Sequence, residues 1–353
     1  MHIQARRIFR LASVPALALA LAYAMAIPMP HIAPLFAFFI AAIPGPPMGA
    51  KKLLGFLILV MITLGMGLLL IPLLLHFSAT ALLLVLVGLY LSSYLTVNLN
   101  KNLPGTFLAL GVTIISAAGT VSYSLATVII QALVLSIIIA VICHALIYQL
   151  FPEDPPVKSQ ADDDASSKQK KESAPTDDKN AVQSNWIAIR STLIVFPAYL
   201  LLLTNPMMYM PIAMKAVLLS QQASTMDAKS AGRELIGSTL LGGLLAVLFW
   251  FLLGIWVNLW MYFLWMLLFS LFFSCKIYQL LRSSFPASFW LNTAVTMLII
   301  LGPAVEDSTN GKDVYAAFFS RATLLIAITL YALLAVYFLE YLASNKKKRT
   351  IVN

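Results

Sequence analysis

Charge is scarce in this 353-residue chain: 10% of its residues are Asp, Glu, Lys or Arg, whereas 61% are hydrophobic. A soluble surface of ordinary make-up cannot be built from so few charges. Cysteine is nearly absent, and Cys143 and Cys275 both sit within or at the end of apolar runs, so a disulfide framework is excluded and both read as packing residues. The four histidines, His2, His31, His76 and His144, are too scattered for a metal cluster. No phosphate-cradling glycine loop, metal-spaced histidine pair or nucleophile elbow occurs, which leaves an ATP-driven pump or a hydrolase without support. The chain is therefore expected to need no cofactor and not to be an enzyme. A membrane-embedded enzyme built on His144 would lack a second catalytic group.

What the chain has in abundance is apolar length. Runs near residues 8–27, 31–43, 53–72, 79–97, 104–119, 123–150, 186–204, 207–220, 234–254, 256–275, 286–302 and 314–342 predict about twelve transmembrane helices. The fold class is thus an all-α polytopic membrane protein in a lipid bilayer. The start, RRIFR before an apolar stretch ending AYAMA, imitates a secretory signal, but it reads as an uncleaved first span. Between the sixth and seventh runs lies PEDPPVKSQADDDASSKQKKESAPTDDKNAVQSN, with charges of both signs and almost no bulky apolar residue, which predicts a disordered tether. The expected organisation is a first six-helix unit over 1–150, a linker over 151–184, a second six-helix unit over 185–345 and a basic tail over 346–353.

A shift of 182 positions lays the first unit on the second: Pro15 meets Pro197, KKLLG at 51–55 meets RELIG at 233–237, and LPGTF at 103–107 meets FPASF at 285–289. Units with an even number of spans enter the membrane from the same side, so the duplication predicts two parallel repeats. A net charge of +9 would suit a nucleic-acid partner, but the bases fall on alternate loops, as topology requires. Arg6, Arg7, Arg10, Lys51, Lys52, Lys101, Lys229, Arg233, Lys276, Arg282 and the KKKR tail occupy one set of loops; the opposite loops carry Lys312, with Glu306, Asp307 and Asp313 beside it. By the positive-inside rule the first set is cytoplasmic, with both termini inside.

Candidate functional residues follow from depth in the membrane. Short, proline-interrupted spans recur at matching places in the two units, with Pro34 in the second span and Pro211 in the eighth. Lys215 lies in the middle of the eighth span, roughly 13 Å along it, and an ionisable group there is a functional-site hypothesis by default. Arg321 lies about two turns into the last span. Two cations with no acid at the same depth suit an anionic substrate. Asn292 and Thr296, four apart on the eleventh span with Thr293 beside them, are hydrogen-bonding candidates either for that substrate or for a neighbouring helix. Proton coupling calls for an ionisable carrier, and the candidates are Glu234, His144 and Glu340.

The entrance to the ninth span, AGRELIGSTLLGG after KAVLLSQQ, together with the six-plus-six architecture, resembles the fusaric acid resistance and aromatic acid exporter superfamily. Arg233, Gly237, Thr239 and Gly242 look like that family's arginine, glycine–threonine pair and second glycine. Ser238 intrudes between Gly237 and Thr239, and the family's large cytoplasmic domain is missing, so the chain resembles a short branch. The resemblance implies proton-driven efflux of small, often aromatic, organic acids or toxic compounds across the bacterial inner membrane, in partnership with a periplasmic membrane-fusion adaptor protein. A homo-oligomer stays open. A major-facilitator-type transporter and a non-transporting membrane scaffold subunit are the alternatives.

Overall fold

Inside hydrocarbon a backbone amide can be satisfied only by its own helix or by a closed barrel, and this chain takes the first course. A computed structural model describes residues 3–42, 45–99, 101–152, 177–223, 228–309 and 314–352, and among these no strand occurs. The helices are α1 (Ile3–Ala24), α2 (Ile32–Ala42), α3 (Ala50–His76), α4 (Ser78–Val97), α5 (Asn102–Leu110), α6 (Ser116–Val121) and α7 (Tyr123–Leu150). They continue with α8 (Asp177–Thr204), α9 (Pro206–Ala223), α10 (Ala228–Ile255), α11 (Leu259–Ile277), α12 (Ala287–Thr309) and α13 (Val314–Val352). Ten helices among the described residues are long and apolar enough to cross a membrane, and two shorter apolar ones, Ile32–Ala42 and Pro206–Ser220, accompany them. The chain is an all-α polytopic membrane protein.

Three boundaries depart from the sequence expectation. Helix α8 starts at Asp177, inside the stretch read as linker. Helix α13 runs on to Val352 through the basic tail. Helix α12, expected over residues 286–302, continues through Gly302 and Pro303 to Thr309. Proline removes one donor and kinks a helix without ending it when neighbouring helices hold both arms.

A fourth feature had no sequence signal. The span from α5 to α6 is one rod interrupted by a π segment, Gly111–Ile115, and every residue of that segment is buried. Single π turns inside α-helices mark functional or strained places.

Tight hairpins define one end of the bundle. Phe77 alone separates α3 from α4, Ser122 separates α6 from α7, and Asn205 separates α8 from α9. Ser122 Oγ caps α7 by accepting from Leu125 N at 3.1 Å, Asn205 Oδ1 accepts from Met208 N at 3.2 Å, and Asn258 Oδ1 caps α11 by accepting from Met261 N at 2.6 Å. Each cap supplies an acceptor for an otherwise orphan amide at a helix start. At the same end the chain leaves α1 through Ala26, which holds a left-handed φ of 50°, with Ile27 N bonded to Ala22 O at 3.2 Å and Ala26 N to Tyr23 O at 3.1 Å. This is a Schellman termination with alanine where glycine is usual.

Packing follows paired lines. Helix α1 packs on α11 and α8 packs on α4; α3 packs on the α5–π–α6 rod and α10 on α12; α2 packs on α7 and α9 on α13. Helix α9 also touches the α5–π–α6 rod, and α2 touches α12. The rod and α12 are the most enclosed of the ten long spans, whereas α3 turns most of its surface outward. Close approach at the centre rests on glycine. A Cβ on Gly67 of α3 would overlap the Gly111 carbonyl of the π segment, and one on Gly105 would overlap the Thr96 hydroxyl of α4.

This packing gives a contrast that can be measured. Gly67→Ala should destabilise by about 1–3 kcal/mol through overpacking, lowering the thermal midpoint of the detergent-solubilised protein by several degrees. Gly55→Ala, with nothing within 4 Å of its Cβ, should leave it unchanged. Equal midpoints for the two variants would refute the claim that Gly67 sets the helix spacing.

Candidate functional site

Lys215 is placed by the phase of α9. Met207, Met210 and Met214 follow the i, i+3, i+7 spacing of one helix face, and all three line a cavity at the hairpin end of the bundle. Lys215 is one residue on, about 100° round the helix, so it turns away from that cavity towards α12. It is fully buried at 0% exposure. Its ammonium nitrogen donates to Asn292 Oδ1 at 3.0 Å and to Thr296 Oγ1 at 2.6 Å. Asn292 and Thr296 are one turn apart, so both acceptors rise from the same face of α12. The Thr296 hydroxyl donates in turn to its own Asn292 carbonyl at 2.7 Å, which leaves its lone pairs for the lysine. Among the described residues Lys215 has no carboxylate partner. An amine held only by neutral acceptors in an apolar core is costly to bury, and it is retained where its donors are needed.

The glycine motif stands directly behind this clamp. A Cβ on Gly242 of α10 would come within 2.7 Å of Thr296 Cβ and 2.8 Å of the Thr293 carbonyl. Gly237 faces Phe289, whose ring carbon would lie 3.1 Å from an added Cβ, and the Thr239 hydroxyl lies 3.4 Å from that of Thr329 on α13. Gly237, Thr239 and Gly242 are therefore the surface on which α12 and α13 rest, and Gly242 in particular backs the threonine that holds Lys215.

The cavity is about 580 Å³ and sits at the hairpin end of the bundle. Met29, His31 and Leu35 form one wall with Leu125 of α7; Met210, Met214, Leu298 and Pro303 form the facing wall and floor, and Asp307 and Arg321 lie at the side. Pro211 and Pro303 both line it. Each proline deprives the carbonyl four residues earlier, that of Met207 or Ile299, of its helical donor, so two weakened helix turns border the same space. His31 is pressed against Gly302 of α12, beside Pro303, since a Cβ on Gly302 would overlap the histidine side chain.

The cavity overturns one expectation. Arg321 was read as a cation without an acid at its depth, but its guanidinium Nη2 is ion-paired with Asp307 Oδ2. The reason is the continuation of α12 past Pro303: about one further turn carries Asp307 to the first turns of α13, where a helix ending at Gly302 would have left it outside. The four proposed binding residues thus divide in two. Lys215, Asn292 and Thr296 form one buried cluster, and Arg321 lies apart on the cavity wall. The two places are nonetheless contiguous in sequence, because Met214 and Leu298 on the cavity side adjoin Lys215 and Thr296.

The proton-coupling candidates are elsewhere. Glu234 lies at the opposite end of the bundle, where Ser288 Oγ donates to its Oε2 at 3.1 Å. His144 is buried in α7 with its ring edge-on to Tyr148, centroids 6.2 Å apart. Helices α10 and α13 contain Arg233 and Glu340, but both side chains lie outside those described. No group of three or more His, Cys, Asp or Glu residues able to hold a metal occurs among the described residues.

Two features escaped the sequence reading. Asp307 was visible only as a loop acid. Tyr199, fully buried on α8, has its hydroxyl 3.2 Å from Ser116 Oγ at the end of the π segment, joining α8 to the central rod by a polar contact that no periodicity announces.

Comparison with known proteins adds a partial match. Residues 7–147 match a family described as "Protein of unknown function (DUF2955)". The match covers α1 to near the end of α7. No curated protein matches the chain, and no solved structure does.

The clamp makes its own prediction. Thr296→Val keeps the shape but removes one acceptor, leaving a buried amine half-satisfied, and should cost about 1–3 kcal/mol. Pairing it with Lys215→Met should recover most of that loss, because no donor is then stranded. A thermal-unfolding double-mutant cycle measures the coupling, and strictly additive effects would refute the bond.

Proposed function

We propose that this protein is a secondary transporter of the bacterial inner membrane that exports small organic acids, aromatic ones among them, or toxic compounds, with the proton gradient as its energy source. The observation that carries this reading is the cavity between α2 and α7 on one side and α9, α12 and α13 on the other, floored above a fully buried lysine. In membrane transporters, solute sites form at the junction of two helical units, beside interrupted helices. Here two proline-containing helices and the cationic side chain of Arg321 border one cavity, with Lys215 behind its wall beside Met214.

Counting the short helices α2 and α9 as spans makes twelve, six on each side of the tether. Two parallel repeats are supported by the packing, since the partners of each span recur six spans later: α1 on α11 answers α8 on α4, and α3 on the central rod answers α10 on α12. The family match ending at residue 147 agrees with a unit closing at α7. On this reading α1–α7 and α8–α13 rock against each other, and Lys215 sits where an outward-facing and an inward-facing cavity would meet. The lysine- and arginine-rich loops lie at the end opposite the hairpins, so both termini are cytoplasmic and the cavity opens outward. Glu234, His144 and Glu340 are the proton carriers proposed for such a cycle. The resemblance to the exporters makes the chain a short branch of that superfamily and a periplasmic adaptor protein its partner.

A deletion strain challenged with a panel of aromatic acids should lose tolerance and retain labelled benzoate; unchanged tolerance together with unchanged efflux would sink the reading. Lys215→Ala should cut efflux by about tenfold or more while the protein still inserts and elutes as a folded species. Lys215→Arg should not restore it, because a planar guanidinium cannot occupy the place of an ammonium between Asn292 Oδ1 and Thr296 Oγ1. Full efflux in Lys215→Ala would remove that residue from the site.

A further inference from the structure

The ion pair on the cavity wall has a geometry that suggests a second role, resting on the reading of the cavity as an anion site. Arg321 engages Asp307 through one terminal nitrogen, Nη2. Its other terminal nitrogen, Nη1, is buried and has no hydrogen-bond acceptor among the described residues. A guanidinium in a low-dielectric place with half its fork unused is an incomplete arrangement, since donors sealed from water and left unpaired are expensive. The strongest way to complete it is a carboxylate that accepts from two nitrogens at once. Asp307 does not do so here.

A ligand carboxylate entering the cavity meets a pair whose charges cancel, so it gains little attraction until the pair opens. To take the fork in bidentate fashion it must gain Nη2, the nitrogen that Asp307 holds. Asp307 lies two residues before the end of α12 and lines the cavity, so a released carboxylate can swing within the cavity. We propose that Asp307 is a resident competitor for the anion site: it occupies Arg321 in the empty transporter and yields it when a ligand's acid group binds. Asp307 thereby sets affinity without touching the bound ligand, and it limits occupation of the site to anions able to displace a carboxylate.

The competition has a measurable consequence. If Arg321 is free of Asp307 for only a tenth of the time, the apparent affinity is lowered by that fraction, and removing the competitor raises it by about tenfold. The probe is benzoate, titrated calorimetrically into the full-length protein in nanodiscs. Asp307→Asn should tighten benzoate binding by about tenfold; Arg321→Gln should abolish it, and the double variant should match Arg321→Gln alone. Loss of binding in Arg321→Gln with unchanged or weaker binding in Asp307→Asn overturns the competition while leaving the anion site intact. Undiminished binding in Arg321→Gln overturns both. Should Asp307→Asn fail to fold, the wild type still decides: with carboxyl-labelled aspartate, infrared difference spectra should display a shifted aspartate carboxylate band on benzoate addition. A binding isotherm without any such shift rejects displacement.

Discussion

Two helices can lie close enough to exclude every side chain between them only where one of them offers glycine, and the centre of this bundle is organised by that constraint. Gly67 lets α3 rest on the backbone of the π segment, and Gly242 lets α10 rest on the Thr293 and Thr296 turn of α12. Once α10 presses on Thr296 from behind, the threonine hydroxyl has one direction left to serve, forward to Lys215. The lysine is then held between two acceptors on α12 in surroundings that would otherwise reject it. Packing and polar chemistry are in this way a single device: the glycine fixes the wall, the wall aims the hydroxyl, and the hydroxyl makes a buried amine tolerable.

The cavity depends on a complementary constraint, the missing amide of proline. Pro211 and Pro303 weaken one turn each in α9 and α12, and both weakened turns face the same space. Because α12 survives its proline, it delivers Asp307 to Arg321, and the cavity wall becomes an ion pair in place of a lone cation. The methionines of α9 suit such a place, since a thioether is flexible and polarisable and adapts to ligands of varied outline.

Much of the architecture was legible in the sequence. Apolar runs located the helices, since a run of about twenty residues has one stable conformation in lipid. Depth marked Lys215, and four-residue spacing marked Asn292 and Thr296 as neighbours on one face. The partner of that face was open, because spacing along a helix says nothing about which helix lies opposite. The π segment was silent: GVTII reads as ordinary apolar helix, and only its neighbours impose the extra residue. Asp307 was hidden for a similar reason, as Gly302–Pro303 reads as a stop when in fact flanking helices hold the two arms in line.

Composition and pattern by themselves determined that this chain lives in a bilayer as a helical bundle, because hydrocarbon leaves unpaired backbone no alternative. They also determined where the costly buried charge is, because hydrophobic runs make such an exception conspicuous. Only the tertiary structure decided what that charge touches, that Arg321 has a carboxylate beside it, and that a cavity lies between the helix sets, because these depend on distances between segments far apart in the chain. Local residue preferences carry no information about those distances; packing does.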